Sequence, residues 1–127
     1  MALHIDIAEI GSGGRRVSLR GRLDSQTAPV LEERLQPLLE SPAVAAALFD
    51  LAELQYIGSA GIRVLVKMRK ALEARGGGVA VANLQPMVRQ VLDIVKALPS
   101  IDVFATDAEL DAFVESMRRR ASPHAAG

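Results

Sequence analysis

The sequence predicts a single α/β domain, with an N-terminal β-hairpin leading into a mixed, mostly parallel sheet that carries about four helices. A length of 127 residues suits one domain with its own core. Apolar residues alternate with polar ones near the start, and helical periodicity then alternates with short apolar runs. Strands separated by helices pair in parallel through crossover connections. Hydrophobic residues make up 50% and aromatic ones only 3%, which predicts an aliphatic core.

The first two strands form the predicted hairpin. Leu3, Ile5 and Ile7 alternate in "LHIDIAEI", and Val17 and Leu19 alternate in "RRVSLRGRL". The "GSGG" between them supplies glycines for a chain reversal. It is followed by a strand and lacks the Gly-Lys-Ser/Thr ending of a phosphate-binding loop, so we interpret it as a turn.

The next segments predict a helix and a buried strand. "APVLEERLQPLLE" has apolar residues at helical spacing, with Ser25 or Thr27 available as the N-cap. Pro37 removes a backbone donor, so we expect it to kink this helix or end it prematurely near its last turn. "AVAAALFDL" suits a strand buried on both faces, although its alanines leave a helix as the alternative.

A second helix is predicted from Gly61 to "RGGG", since Val64, Leu65, Met68 and Leu72 recur at helical spacing. Further along the chain the same reasoning predicts a strand at "VAVAN", a helix at "PMVRQVLDIVKAL", a strand at "IDVF" and a helix at "DAELDAFVESM". We expect residues 1–117 to form the domain and residues 118–127 to be a disordered tail.

Composition argues against several classes of function. Fifteen basic and fifteen acidic residues balance, and aromatic residues for base stacking are few, so we expect no direct binding of nucleic acid. There is no cysteine for a disulfide or a zinc–thiolate site. The start lacks a signal-peptide pattern, and no run of apolar residues is long enough to span a membrane. We expect a cytoplasmic protein without membrane insertion, cofactor or metal.

Two charged groups leave alternatives open. A basic strip of Arg63, Lys67, Arg69 and Lys70 suits either nucleic acid or a solvated helix face, and the zero net charge favours the solvated face. The second group consists of Asp24, Asp50 and Glu53. These residues suit either a cation site or separate structural roles, and no clustered ligand motif supports the cation site.

The serine in "LQYIGSAGIRVLV", Ser59, lies between an apolar strand and the second helix. Its simplest interpretation is an N-cap, but the small residues around it leave the hydroxyl accessible to another protein. A serine nucleophile needs a base, and the two histidines, His4 and His124, lie in the first strand and the tail. "GSAG" also lacks the glycine spacing of a nucleophile elbow. We therefore expect no catalytic residues and no enzyme activity.

Three polar residues, Asp24, Ser59 and Asn83, each follow a predicted strand. Functional sites in open α/β sheets favour the loops at the carboxyl ends of strands. We therefore expect these residues to gather on one rim.

Three blocks of the chain resemble the STAS domain, specifically the bacterial anti-sigma factor antagonists. They are "GRLDSQTAPVLEERLQPLL", "FDLAELQYIGSAGIRVLV" and "VANLQPMVRQVLDIVKALPSIDVF", and the resemblance spans roughly residues 3–117. "DLAELQYIGSAGI" is the most specific part. It is similar to the family's Asp-Leu lead-in, apolar pair and Asp-Ser-(Ser/Thr/Ala)-Gly-(Leu/Ile) signature.

The resemblance implies a partner switch. An unphosphorylated antagonist binds a serine-kinase anti-sigma factor and frees the sigma factor, phosphorylation of the serine ends the binding, and a serine phosphatase restores it. Ser59 falls on the phosphorylated position, and Asp24 on the acidic residue beside it. The partner-binding residues implied for this chain, which we expect to be monomeric when free, are Asp24, Ser25, Gly58, Ser59, Ala60, Gly61, Ile62 and Arg63.

One position departs from the family pattern. Gly58 stands where the family usually has Asp immediately before the serine. This departure favours an alternative, in which the domain docks without phosphorylation as part of a signalling scaffold or as a subunit of a membrane transport complex.

Overall fold

The structure is a computed structural model, which describes residues 3–94 and 102–104. Five strands form one sheet in the order β1-β2-β3-β4-β5. β1 and β2 pair antiparallel as the predicted hairpin, and the other neighbouring strands pair in parallel. The elements, in chain order, are β1 Leu3–Ile10, β2 Gly14–Leu23, α1 Ala28–Glu40, β3 Ala46–Ile57, α2 Ser59–Glu73, β4 Gly78–Ala82, α3 Pro86–Ile94 and β5 Asp102–Phe104.

The predicted fold class is confirmed: a hairpin leads into a mixed, mostly parallel sheet, and helices separate the parallel strands. Three helices lie in the described part of the chain. The predicted fourth helix and the predicted disordered tail fall outside the described residues, as does the end of the third helix beyond Ile94. "AVAAALFDL" contributes to a strand rather than to the alternative helix.

The main core lies between one face of the sheet and the helices. Alternate residues of β2, β3 and β4, such as Val17, Phe49 and Val81, share this cluster with buried residues of all three helices. The apolar positions predicted for α2, from Val64 to Leu72, are buried here. The intervening positions of β3 and β4 form a second buried cluster of small and aliphatic side chains, which comprises Ala46, Leu48, Ala80 and Ala82.

Two details that the sequence predicts for α1 are each confirmed only in part. Pro37 lies in the last turn of the helix on its exposed side, but it does not end the helix, which continues to Glu40. Thr27 occupies the N-cap position but makes no side-chain cap bond. Its hydroxyl instead accepts the Asp24 N–H at 2.9 Å and donates to the Arg22 carbonyl at 2.9 Å. The side chain that accepts amides at this turn is Asp24.

Candidate functional site

The carboxyl ends of β2 and β3 lie side by side and form the candidate site. Leu23 is paired with Ile57 as the last residue of each strand. Beyond that pair, the Gly58 N–H donates to the Leu23 carbonyl at 2.9 Å. Asp24 directly follows β2, and Ser59 follows β3 after Gly58, so the two residues lie on the same rim, as the sequence predicts.

Ser59 is the first residue of α2, and Gly58 is the N-cap. The interpretation of Ser59 as a helix cap is therefore wrong: no side chain caps α2, and the first helical bond runs from the Ile62 N–H to the Gly58 carbonyl at 3.1 Å. Ser59 is exposed, and its hydroxyl makes no hydrogen bond within the described part of the chain. The structure leaves this hydroxyl accessible at an uncapped helix N-terminus.

The small residues around Ser59 have different roles. A Cβ atom on Gly61 would lie 2.5 Å from Leu23 Cγ, so Gly61 lets α2 pack closely on the end of β2. Gly61 and Ile62 are buried, and they support the site from the core rather than lining its surface. Ala60 is half-buried, and Ser25, across the rim, is exposed. The surface part of the predicted site therefore consists of Asp24, Ser25, Gly58, Ser59, Ala60 and Arg63.

Asp24 is a fixed carboxylate. Its Oδ1 atom accepts the Gln26 N–H at 3.0 Å and the Thr27 N–H at 3.1 Å. These backbone hydrogen bonds, first from Gln26 and then from Thr27, lower the pKa of Asp24 below its ordinary value, because they stabilise the charged form. Asp24 thus holds a negative charge at the rim in a defined orientation.

A groove lies between α1 and α2, and Ala60, the residue after Ser59, is part of its lining. It has a volume of about 420 Å³, and its lining includes Ser25, Pro29, Ala60 and Arg63. Arg63 is exposed four residues after Ser59, and a side chain at this spacing lies over the preceding turn. Ser59, Arg63 and the groove therefore form one continuous surface.

Much of the predicted basic strip is neutralised. Lys67 forms an ion pair with Glu32 of α1. Arg69 contacts Glu73 at 3.2 Å, one turn further along α2. These pairs agree with a solvated helix face rather than a nucleic-acid surface.

Asn83 does not join the rim, and that expectation is wrong. β4 ends with Ala82 paired to Asp50, well before the end of β3 at Ile57. The Asn83 amide donates to Asp50 Oδ1 at 3.1 Å. Glu53, in turn, lies 3.7 Å from Arg20. Asp24, Asp50 and Glu53 thus have separate partners, which agrees with structural roles rather than a shared cation site.

Two residues absent from the predicted site flank it. Arg22 and Tyr56 are paired across β2 and β3, one position before the strand ends. The Arg22 guanidinium carbon lies 4.3 Å from the centre of the Tyr56 ring. The register shifts between Gly21 and Arg22, so alternation in the sequence alone does not reveal this pairing.

The fold and the site define a class of small α/β domain in which an exposed serine, at the start of a helix, lies beside a fixed carboxylate. The model of the STAS domain matches residues 7–110. The chain belongs to the STAS domain family, and the resemblance seen in its sequence is confirmed.

Known relatives agree with this membership. The chain is 30% identical to the anti-sigma-B factor antagonist of Bacillus subtilis over 105 aligned residues. The alignment covers 83% of this chain and 94% of the relative. The structure of the anti-sigma factor antagonist SpoIIAA in its unphosphorylated form matches with a TM-score of 0.76 and 18% identity, over 86% of this chain and 95% of that one. The phosphorylated form of SpoIIAA from Bacillus matches with a TM-score of 0.69 and 17% identity, over 86% and 98%.

In the part of the chain that the structure describes, no helix combines the length and the apolar character needed to cross a membrane.

Proposed function

We propose that this protein is an anti-sigma factor antagonist that acts by partner switching. In this proposal the unphosphorylated chain binds a serine-kinase anti-sigma factor, phosphorylation of Ser59 releases it, and a serine phosphatase restores the binding form. Family membership and the relative named as an anti-sigma-B factor antagonist support the general role. The observation that carries the switch is the exposed, uncapped position of Ser59 at the start of α2.

The position of Ser59 suits a phosphoacceptor for two reasons. A kinase can reach the hydroxyl, because Gly58 has no side chain and Ala60 has a small one. A phosphate there adds about 1.5 to 2 negative charges at the positive end of the helix dipole, where first-turn N–H groups can donate hydrogen bonds to its oxygens. The domain therefore tolerates the modified residue without rearranging.

The same phosphate disrupts the binding surface. Asp24 is already ionised and held in place at the neighbouring strand end. A partner that complements one carboxylate and a neutral hydroxyl meets two adjacent anions after modification. Like charges left without partners at an interface cost affinity, so the phosphorylated chain dissociates from the partner.

The site supports binding rather than catalysis. His4 lies on β1, and β2 separates that strand from β3, after which Ser59 begins α2. Ser59 therefore has no imidazole beside it within the described residues to act as a general base. In the proposed switch, the kinase supplies the ATP chemistry and this chain supplies the acceptor.

The direct test is intact mass with site mapping, after incubation with ATP and each serine-kinase anti-sigma factor of the source cell. The expected result is the gain of one phosphate at Ser59, which is lost in Ser59→Ala. Ser41→Ala is the control, because it removes a serine at the C-terminal end of α1, outside the site, and should still be modified.

Binding separates the switch from simple docking. Ser59→Ala should bind the kinase and stay bound in the presence of ATP, whereas Ser59→Asp should lose binding. If both variants bind like the parent, and no kinase that modifies a control antagonist modifies this chain, the switch is wrong. Docking without phosphorylation then becomes the better interpretation.

A further inference from the structure

The carboxyl ends of β2 and β3 carry an exposed arginine stacked on a tyrosine. Leu23 and Ile57 point into the core, so Arg22 and Tyr56, one residue earlier, point to the other face of the sheet. The guanidinium carbon is 4.3 Å from the ring centre, and 48% of the Arg22 side chain is exposed. The pair thus forms a flat, amphipathic patch next to the serine site.

The hydrogen-bonding capacity of Arg22 is largely unused. The nearest carboxylate oxygen, Asp24 Oδ2, is 3.9 Å from the Arg22 Nε atom, which is beyond hydrogen-bonding distance. The other oxygen of Asp24 is held by the amides of Gln26 and Thr27. Within the described residues the guanidinium donates no hydrogen bond. Its donors are therefore available to a ligand from outside.

Gly58 keeps a second carboxylate away from this patch, where the Asp24 carboxylate already lies 3.9 Å from Arg22. A Cβ atom on Gly58 would lie 3.3 Å from the Tyr56 hydroxyl. A carboxylate at this position would therefore extend along the tyrosine ring on which Arg22 stacks, within the range of its charge. Because residue 58 has no side chain, the unused hydrogen-bond donors of Arg22 face no second carboxylate from this position.

We propose that Arg22, stacked on Tyr56, is a partner-recognition residue, and that it receives a carboxylate of the anti-sigma factor when the unphosphorylated chain binds. This inference rests on the proposed function and adds the chemistry of the partner surface. The partner presents an aspartate or glutamate to the face of the sheet beside Ser59.

Charge and geometry both favour a carboxylate. The planar guanidinium binds a carboxylate through two parallel hydrogen bonds. The compact ammonium group of lysine does not offer this paired geometry. The tyrosine ring holds the guanidinium in place, so less side-chain freedom is lost on binding. Arginine and tyrosine are also the residue types enriched among the side chains that dominate interface energetics.

Calorimetric binding to the anti-sigma kinase that modifies Ser59 tests the inference. Arg22→Glu should weaken binding by on the order of tenfold or more, and Arg22→Gln by less. Tyr56→Leu, which removes the stacking surface, should also weaken binding, whereas Tyr56→Phe should not. Gly58→Asp should weaken binding, because the new carboxylate neutralises Arg22.

Arg20→Glu is the matched control. Arg20 lies on the same strand and is 62% exposed, and like Arg22 it has a carboxylate within 4 Å, that of Glu53. It differs in lying further from the strand end and from Ser59. Its reversal should leave affinity within about threefold of the parent. Equal thermal unfolding of the variants establishes that they fold alike. Replacing the kinase's acidic surface residues by arginine, one at a time, should identify one change that restores binding to Arg22→Glu.

The results distinguish a failure of this inference from a failure of the proposed function. If Arg22→Glu binds like the parent while Ser59 is still phosphorylated, the inference is wrong and the proposed function stands. The inference is also wrong if Arg22→Gln changes only the release of the phosphorylated chain, since Arg22 then recognises the phosphate. If the parent chain is neither bound nor modified by any of the kinases, the proposed function fails, and the inference fails with it.

Discussion

The two ends of the parallel strands are built in contrasting ways. At the amino ends, Ala45 and Ala46 donate to the Gly13 carbonyl, and Gly78 donates to the Ala45 carbonyl. At the carboxyl ends, a bond from Gly58 to Leu23 joins β2 to the start of α2, and Ser25 and Ser59 beyond it are exposed.

Glycine has a different role at each end. A Cβ atom on Gly77 would lie 1.6 Å from the Ala45 carbonyl oxygen, so a larger residue has no space there. For a Cβ atom on Gly58 the nearest atoms belong to the side chain of Tyr56, the first at 3.3 Å. The first glycine is required by backbone packing. At the second, a larger residue needs only a small shift of a side chain, so we expect folding to tolerate it.

The largest effect is expected from Gly77→Ala. The new methyl group overlaps backbone atoms, which no rotamer change can relieve, so the strands must separate locally. We expect a loss of about 3 kcal/mol in the free energy of unfolding, measured by urea denaturation. Gly58→Ala is the control and should change stability by less than about 0.5 kcal/mol. Equal losses in the two variants would contradict the contrast between the ends.

Arg75→Ala should have the next largest effect. The Arg75 guanidinium donates to the carbonyls of Ser41 at 2.8 Å and Val44 at 3.0 Å, and also to that of Leu39. These bonds tie the end of α1 to the start of β3, and truncation of Arg75 removes one donor from each of the three carbonyls. We expect roughly 2 kcal/mol of destabilisation by the same measurement. Affinity for the anti-sigma factor should not change, and a loss of affinity would show that the two ends are coupled.

The sequence predicts the elements of the fold well because their periodicities are strong and local. Alternation in β1 and β2 and helical spacing in α2 reflect burial on one face, which the structure confirms. The length of β3 is less predictable. Its second half, from Leu51 to Ile57, lacks clean alternation, and its extension depends on pairing with β2 through two register shifts. This also explains why the expectation for Asn83 is wrong. β3 extends to Ile57, well beyond the point where β4 ends opposite Asp50, so Asn83 does not reach the edge where Ser59 lies.

The site is predictable from the sequence in outline and not in detail. Parallel strand ends bring Asp24 and Ser59 together whatever the details of each loop. The N-cap of α2 is Gly58, one residue before the predicted Ser59. The Gly58 N–H bonds to the Leu23 carbonyl, and α2 begins directly after it. The Arg22–Tyr56 stack depends on tertiary register, for which one sequence carries no local signal.

A smaller effect separates two hydroxyl residues at two helix starts. The Thr27 hydroxyl is buried and joins the backbone of Asp24 to that of Arg22, whereas the Ser59 hydroxyl makes no such bond. Thr27→Val should therefore cost about 1 kcal/mol of unfolding free energy, and Ser59→Ala less than about 0.5 kcal/mol. Urea denaturation of both variants provides the comparison. If Ser59→Ala loses as much unfolding free energy as Thr27→Val, Ser59 has a structural role, which argues against its role as an accessible phosphoacceptor.

The smallest effect is a dependence of stability on pH that arises at Asp24. Backbone hydrogen bonds from Gln26 and Thr27 lower the pKa of this carboxyl below its ordinary value of 3.8. The unfolded chain therefore takes up a proton at higher pH than the folded chain does. Asp24 then contributes stability that is fully present above the ordinary pKa and is lost as pH falls through the lowered one.

Asp24→Asn isolates this contribution, because the amide oxygen can still accept both backbone bonds without the charge. The difference in unfolding free energy between parent and variant should be constant near neutral pH and should shrink as pH falls below about 4. A carbon NMR titration of the Asp24 carboxyl measures the lowered pKa directly. A difference that persists unchanged in acid would mean that the Asp24 charge contributes nothing to holding the turn beside Ser59.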